Sequence, residues 1–316
     1  MIYQPLIRIT NRHTENMNMK SILKQSVLSV AKHSTFVTNL AVFITRHAST
    51  QINVKDTYGY LRERFIRNGK DKDVNESIRK DIVQKFERID QNVPIGSTPT
   101  DGLILAEMLL SMKADGDIIE CGCYAGGSSA KLSILATALN RKIIIFDSFE
   151  GLPAVEQYYL KDQHCRRSKN WVKNWDKGRY AAKIEEVSDN IEQYGNLSVC
   201  KLVKGFFSET LTNDNLPKQV SFSFIDVDLA NSARDCFISI WPLISNYGIY
   251  VTHDTAYIKV LQEMYNPKLW KEQFKSIPPI LFGAGYGLCN DSPHIGYMVK
   301  GDSLSSEYLK SLTIDK

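Results

Sequence analysis

The sequence has no C-x-x-C pair, no internal repeat and no low-complexity block. No apolar run approaches the roughly 18 residues that a membrane-spanning helix needs, so no integral membrane association is expected. Charge is nearly balanced, with a net +4 over 316 residues. The clustered basic stripe of a nucleic-acid-binding protein is missing. The six cysteines, Cys121, Cys123, Cys165, Cys200, Cys236 and Cys289, are scattered. Their spacing fits neither a zinc site nor a disulfide framework, and several sit in apolar runs as small hydrophobes. This usage suggests a reducing cytoplasm. Met1 to Lys20 lacks the uninterrupted apolar stretch of a signal peptide.

What the chain does have is a 43% hydrophobic fraction, enough for a sizeable core. Ser21 to Arg46 reads as one or two amphipathic helices. Asp73 to Asp90 places Ile78, Ile82, Val83, Phe86 and Ile89 at helical spacing. Val93 to Pro99 breaks that helix, and Thr100 is positioned to cap the next, which carries Leu103, Ile104, Met108, Leu109 and Met112. Strands and helices then alternate. Strands are expected at Asp117–Cys121, Lys142–Phe146, Ser198–Val203, Val220–Ile225 and Ile249–Thr252. Helices are expected at Ser128–Leu139, Tyr180–Tyr194 and Ser232–Ile244, with a short one from Tyr257. Near-continuous apolar strands in such alternation mean a parallel sheet covered on both faces. Pro279–Gly283 and Ile295–Val299 read as an antiparallel hairpin at the sheet edge.

Three clusters carry chemistry. The first is Glu120-Cys-Gly-Cys-Tyr-Ala-Gly-Gly-Ser128, between the first strand and its helix. Its glycines permit a sharp turn and close approach to a ligand. Glu120 at the strand end favours a ligand with a positive ammonium or sulfonium over a pyrophosphate. The second is Asp147, 25 residues after Gly122 at the end of the next strand, placed to accept ribose hydroxyls. Together these indicate a nucleoside ligand without separating S-adenosylmethionine from NAD. The third is Asp226-Val-Asp228 with Thr252-His-Asp254, at the carboxyl ends of two later strands. Asp226, His253 and Asp254 could converge on Mg²⁺ or another divalent cation, which would bind acceptor oxygens. Glu150–Gly178, with little apolar periodicity, reads as a lid-like insertion.

These residues resemble the macrocin O-methyltransferase (TylF-type) family. The resemblance rests on the Glu120–Ser128 run, on Asp147-Ser-Phe-Glu-Gly-Leu-Pro153 and on Val203-Lys-Gly-Phe-Phe-Ser-Glu-Thr-Leu211, within residues 95–260. It implies a Rossmann-like class I methyltransferase fold, a mostly parallel seven-stranded sheet ending in an antiparallel hairpin. Residues 1–95 would form a helical N-terminal extension and 96–316 the catalytic domain, with 150–178 the insertion. It further implies S-adenosylmethionine as cofactor, Mg²⁺ as a commonly used metal and a small-molecule hydroxyl as acceptor; separately, the amphipathic N-terminal region suggests a homodimer or higher homo-oligomer. Glu120, Gly122 and Tyr124 would hold the methionine end, Asp147 the ribose with Ser148 beside it, and Gly205, Phe206 and Phe207 the adenine. Thr98, Gly126, Ser128 and Asp226 complete the expected cofactor set. Asp226 and His253 are the candidate catalytic residues, and Asp226, His253 and Asp254 the candidate metal ligands. The family's tyrosine after Asp-Gly-Asp is absent, and its Asp-Asp pair reads His253-Asp254 here. An N-methyltransferase without metal, a nicotinamide-dependent oxidoreductase and a non-catalytic cofactor-binding scaffold stay open as alternatives.

Overall fold

A computed structural model describes residues 56–154, 176–276 and 278–301. The amphipathic stretch expected over Ser21–Arg46 and most of the Glu150–Gly178 insertion lie outside the described residues. Three helices come first: α1 (Thr57–Arg67), α2 (Glu76–Asn92) and α3 (Pro99–Ser111). The apolar spacing of α2 buries Ile82, Val83, Phe86 and Ile89. Ile78, in the first turn after the Asn75 cap, does not join that face and stays 40% exposed. Arg79 takes the buried place, donating to the Phe65 carbonyl and pairing with Glu107 at 3.0 Å. The cap of α3 is Thr98, not Thr100: its hydroxyl accepts from the Asp101 N–H while the Asp101 carboxylate accepts from the Thr98 N–H. Pro99 occupies the first helical position, where its missing N–H costs nothing.

The alternation expected from the sequence follows. It runs β1 (Asp117–Cys121), α4 (Gly127–Ala138), β2 (Ile143–Asp147), α5 (Ile184–Tyr194), β3 (Cys200–Lys204), β4 (Val220–Ile225), α6 (Ala230–Ile240), β5 (Ile244–Thr252), α7 (Ile258–Met264) and β6 (Gly296–Val299). The sheet order is β3-β2-β1-β4-β5-β6. All pairs are parallel except β5–β6. Among the described residues the sheet has six strands rather than seven. The segment expected as the outer hairpin strand pairs only through a Phe282–Tyr297 bridge. Pro278 and Pro279 supply no N–H to a ladder, and Gly283, Gly285 and Gly287 at positive φ turn the chain away.

Strands buried on both faces separate two apolar layers. One joins α1, α2, α3, α4 and α5 to the sheet through Phe65, Phe86, Leu109, Leu135 and Ile191. The other packs α6 and α7 on the opposite face, with Phe237 ringed by Trp241, Tyr250, Trp270 and Phe274 at centroid distances of 5.1–5.8 Å. Among the described residues no helix is long and apolar enough to cross a membrane. Of the described cysteines, Cys121, Cys123, Cys236 and Cys289 are buried. Burial pushes the Cys121 and Cys123 thiols well above their ordinary value.

The N-terminal helices are tied to the sheet layer by a buried ion pair. Lys131 of α4 lies 2.5 Å from Asp90 of α2, the two side chains being 5% and 15% exposed. Removing one partner of such a pair leaves an uncompensated charge, costing about 3–5 kcal/mol. Lys131→Ala is therefore expected to lower unfolding free energy in urea by about that amount. Replacing both partners, Lys131→Met with Asp90→Leu, should restore most of it.

Candidate active site

Strand order reverses between β1 and β4, and the loops leaving their carboxyl ends diverge there to form a crevice. Backbone hydrogen bonds continue the ladder one residue past each strand. Gly122 N–H donates to the Phe146 carbonyl (2.9 Å), Asp226 N–H to Cys121 (2.9 Å), His253 N–H to Ile225 (2.8 Å) and Gly205 N–H to Asp147 (3.0 Å). These bonds set Gly205, Asp147, Gly122, Asp226 and His253 side by side. Gly122 must be glycine: its φ is +83°, and a Cβ would stand 1.9 Å from the Asp226 carbonyl oxygen. A cleft of about 590 Å³ opens above this row.

Gly122, Tyr124, Ser128, Asp147, Ser148, Phe206, Phe207, Asp226 and His253 line the cleft, all expected from the sequence. The Asp147 carboxylate is fixed by two backbone donors, the N–H of Cys123 at 2.7 Å and of Phe149 at 2.8 Å. Ser148 donates to the Gly151 carbonyl, shaping the turn beyond. Tyr124, itself at positive φ, meets Tyr180 edge to face at 5.6 Å. Gly126 and Gly205 are not lining residues but backbone devices, both at positive φ. Thr98 is likewise withdrawn: its one hydroxyl proton is shared between the Asp101 carboxylate and the Asp291 carbonyl, each 2.9 Å from Oγ1. Ile95, Gly96 and Ser97 line that wall instead.

Glu120 lies behind the glycine loop, fully buried. The Ser129 hydroxyl donates to Oε2 at 2.5 Å, and Oε1 has no partner. Burial pushes its carboxyl up to about 8, against the lowering effect of Ser128 and Ser129, with Asp147 and Asp226 adding repulsion. Such a carboxyl is suited to ionise when a cation arrives.

The acidic end differs from the expected ligand set. Asp226, Asp228 and Asp254 place carboxylate oxygens within 4.8 Å of one another. His253 is turned away from that group. Its Nε2 faces Asp101 at 3.3 Å and its Nδ1 faces Asp226 at 3.4 Å. Burial alone would lower the imidazole's pKa, but Asp226 and Asp101 outweigh it and hold it well above the histidine range. Asp254 Oδ2 accepts from the N–H groups of Val227 (3.1 Å) and Asp228 (3.2 Å), whereas its buried Oδ1 has no partner. Burial, then Asp226 and Asp228, push the Asp254 carboxyl well above its ordinary value. An orphaned buried oxygen beside two further carboxylates fits a hard divalent cation. Asp228, visible in the sequence as the second Asp of Asp-x-Asp, thus stands where His253 was expected. Asp101 and Ser292, remote in sequence from every motif, carried no signal, and neither did Asn231, Ser232 and Asp235, which line the cleft from the first turns of α6.

The profile of the family described as Macrocin-O-methyltransferase (TylF) matches residues 103–275. A Streptomyces olivaceus protein, 8-demethyl-8-(2,3-dimethoxy-alpha-L-rhamnosyl)-tetracenomycin-C 4'-O-methyltransferase, is 28% identical over 155 residues. That match takes in 48% of this chain and 57% of the relative, so the chain spans little more than half the relative's length. Among solved structures, the O-methyltransferase NovP is similar with a TM-score of 0.47 and 18% identity, over 84% of this chain and 99% of that one. The calicheamicin methyltransferase CalS11 is similar with a TM-score of 0.45 and 20% identity, over 71% and 93%.

Mg²⁺ or Mn²⁺ should raise the melting temperature, by the equivalent of about 2.7 kcal/mol at roughly 100 times Kd. Asp254→Asn should abolish the effect, because the amide oxygen replaces Oδ2 while the Oδ1 charge is lost. Without metal the sign reverses. A carboxyl whose folded pKa is raised contributes stability below its unfolded pKa and loses it as pH rises. Metal-free Asp254→Asn should accordingly be as stable as the wild type or more so at pH 8. A metal-induced shift of equal size in the variant would refute the carboxylate site.

Proposed function

The chain belongs to the macrocin-O-methyltransferase (TylF) family, and from that premise we propose that it is an S-adenosylmethionine-dependent enzyme that methylates a hydroxyl of a small molecule. The observation that carries the reading is one cleft lined by Asp147 and by Asp226 and Asp228, with the buried Asp254 carboxylate directly behind the latter two. Asp147 suits a nucleoside and the acidic group an acceptor hydroxyl. Family membership also sets aside the nicotinamide-dependent oxidoreductase. A sugar hydroxyl on a natural-product-type acceptor is the class proposed. Its support is the Streptomyces relative, whose name describes O-methylation of a rhamnosyl-bearing compound.

S-adenosylmethionine, when bound, supplies an already activated methyl group, so the protein's work is positioning, exclusion of water and removal of one proton. In the proposed arrangement Asp147 accepts the ribose hydroxyls through the lone pairs left free by its two backbone donors. Phe206 and Phe207 pack beside the adenine, and Tyr124 closes the methionine end. The orphan Glu120 Oε1 meets the ammonium. Asp226 takes the proton from the acceptor hydroxyl, with His253 hydrogen-bonded behind it. A divalent cation held by Asp226, Asp228 and Asp254 would add positive charge near the acceptor oxygen and lower its pKa. Asn231, Ser232 and Asp235 offer hydrogen bonds to further hydroxyls of the acceptor. A cytoplasmic homo-oligomer, with residues 1–95 as cap or interface, belongs to the same proposal. Light scattering on the full chain checks the assembly.

The test is calorimetric titration with S-adenosylhomocysteine at pH 7 in two buffers of different ionisation enthalpy. Glu120, at about 8, is largely protonated at that pH. An incoming ammonium favours the carboxylate, so binding should release a proton and tighten as pH rises towards 8. Glu120→Gln should abolish the release and weaken binding about 10- to 100-fold, the worth of one hydrogen bond to a charged group. No binding in either buffer would sink the methyltransferase reading.

A further inference from the structure

Asp101 is buried with no exposed surface, yet its two oxygens gather four donors. Oδ2 accepts from the Thr98 N–H (2.7 Å) and the Thr98 hydroxyl (2.9 Å), and it faces His253 Nε2 at 3.3 Å. Oδ1 accepts from the Ser292 hydroxyl. The capping box of α3 explains the two Thr98 bonds. It explains neither the serine, 191 positions away in sequence, nor the histidine, 152 away.

His253 is the link to the cleft. Its side chain is only 12% exposed, and its second nitrogen lies 3.4 Å from Asp226 Oδ1. Phe224 meets the ring edge-on at 6.4 Å, and His294 lies against it at 5.5 Å and 35°. His294 comes from the glycine-rich C-terminal loop, which Ser292 and the Thr98–Asp291 bond pin to the start of α3. The imidazole cannot turn without giving up a carboxylate on one side or the other. Asp226, at 24% exposed, is the member of this linkage that faces the cleft most, His253 being 12% exposed.

The geometry points to Asp101 as a positioning residue that acts through His253 to hold the Asp226 carboxylate in place at the cleft. The consequence for catalysis rests on the function proposed above, but the linkage itself is testable without an acceptor or a metal.

The experiment uses the full chain labelled with ¹⁵N-histidine, with and without S-adenosylhomocysteine. Six histidines are present, and loss of signals in His253→Gln identifies the ring. In the wild type a protected, downfield Nε2–H resonance is expected. Asp101→Asn, which keeps an oxygen for the Thr98 N–H, should remove that resonance and also shift Nδ1, the nitrogen that Asp101 does not touch. A fall in melting temperature with both ring signals unchanged would reduce Asp101 to a helix cap and overturn the inference. If Asp101→Asn does not fold, Asp226→Asn reads the same link from the open end. The Nε2–H signal must then shift, and an unshifted signal refutes the coupling. Absence of S-adenosylhomocysteine binding in these samples would defeat the methyltransferase reading while leaving the ring signals to decide this one.

Discussion

The site depends on hydrogen bonds that run past the end of the sheet. Gly122 bonds to β2, Asp226 to β1 and His253 to β4, each through the first residue after its own strand. A functional side chain on the first residue past a strand inherits the sheet's spacing, and its backbone has no freedom to drift. The same constraint forces glycine at 122, since the Asp226 carbonyl occupies the space a side chain would need. A flexible loop could not bring the nucleoside end and the acidic end of one cleft to a fixed separation, whereas adjoining strands do so without further support.

Electrostatics follow from that crowding. Glu120, Asp147, Asp226, Asp228 and Asp254 converge from four strand ends, and burial drives the two innermost, Glu120 and Asp254, towards their protonated forms. The fold thus buries a carboxyl at two points, each with an unpartnered oxygen and a penalty on ionisation. A ligand cation at the first and a metal cation at the second would relieve both. Among the described groups His253 is the internal counterweight, held well above its ordinary pKa by Asp226 and Asp101.

Much of the architecture was legible in the chain. Strands such as Asp117–Cys121 and Val220–Ile225 are short apolar runs with clear limits, and the structure reproduces their bounds. Element starts were less legible: the helix expected from Tyr180 begins at Ile184 and the strand expected from Ile249 begins at Ile244, and at two helices a side-chain hydrogen bond sets the start. Thr98 rather than Thr100 caps α3 because Asp101 reciprocates the bond, and the Asn75 cap starts α2 at Glu76 rather than Asp73. The outer strand of the expected hairpin shrinks to one bridge because its prolines and positive-φ glycines oppose a ladder.

For the cleft, the sequence by itself determined which residues emerge together. Glycine runs, Asp147 and the Asp-x-Asp and His-Asp pairs all sit at strand ends, and strand ends in a parallel sheet share one edge. Orientation was a different matter. Whether Asp228 or His253 faces Asp254 depends on which neighbour competes for each side chain. For His253 the competitor is Asp101, delivered by a helix cap 152 residues away. Local pattern carries information about periodicity and turns. It carries none about a buried carboxylate brought from another element, so the tertiary structure alone decided that Asp226, Asp228 and Asp254 face one another while His253 lies between Asp226 and Asp101.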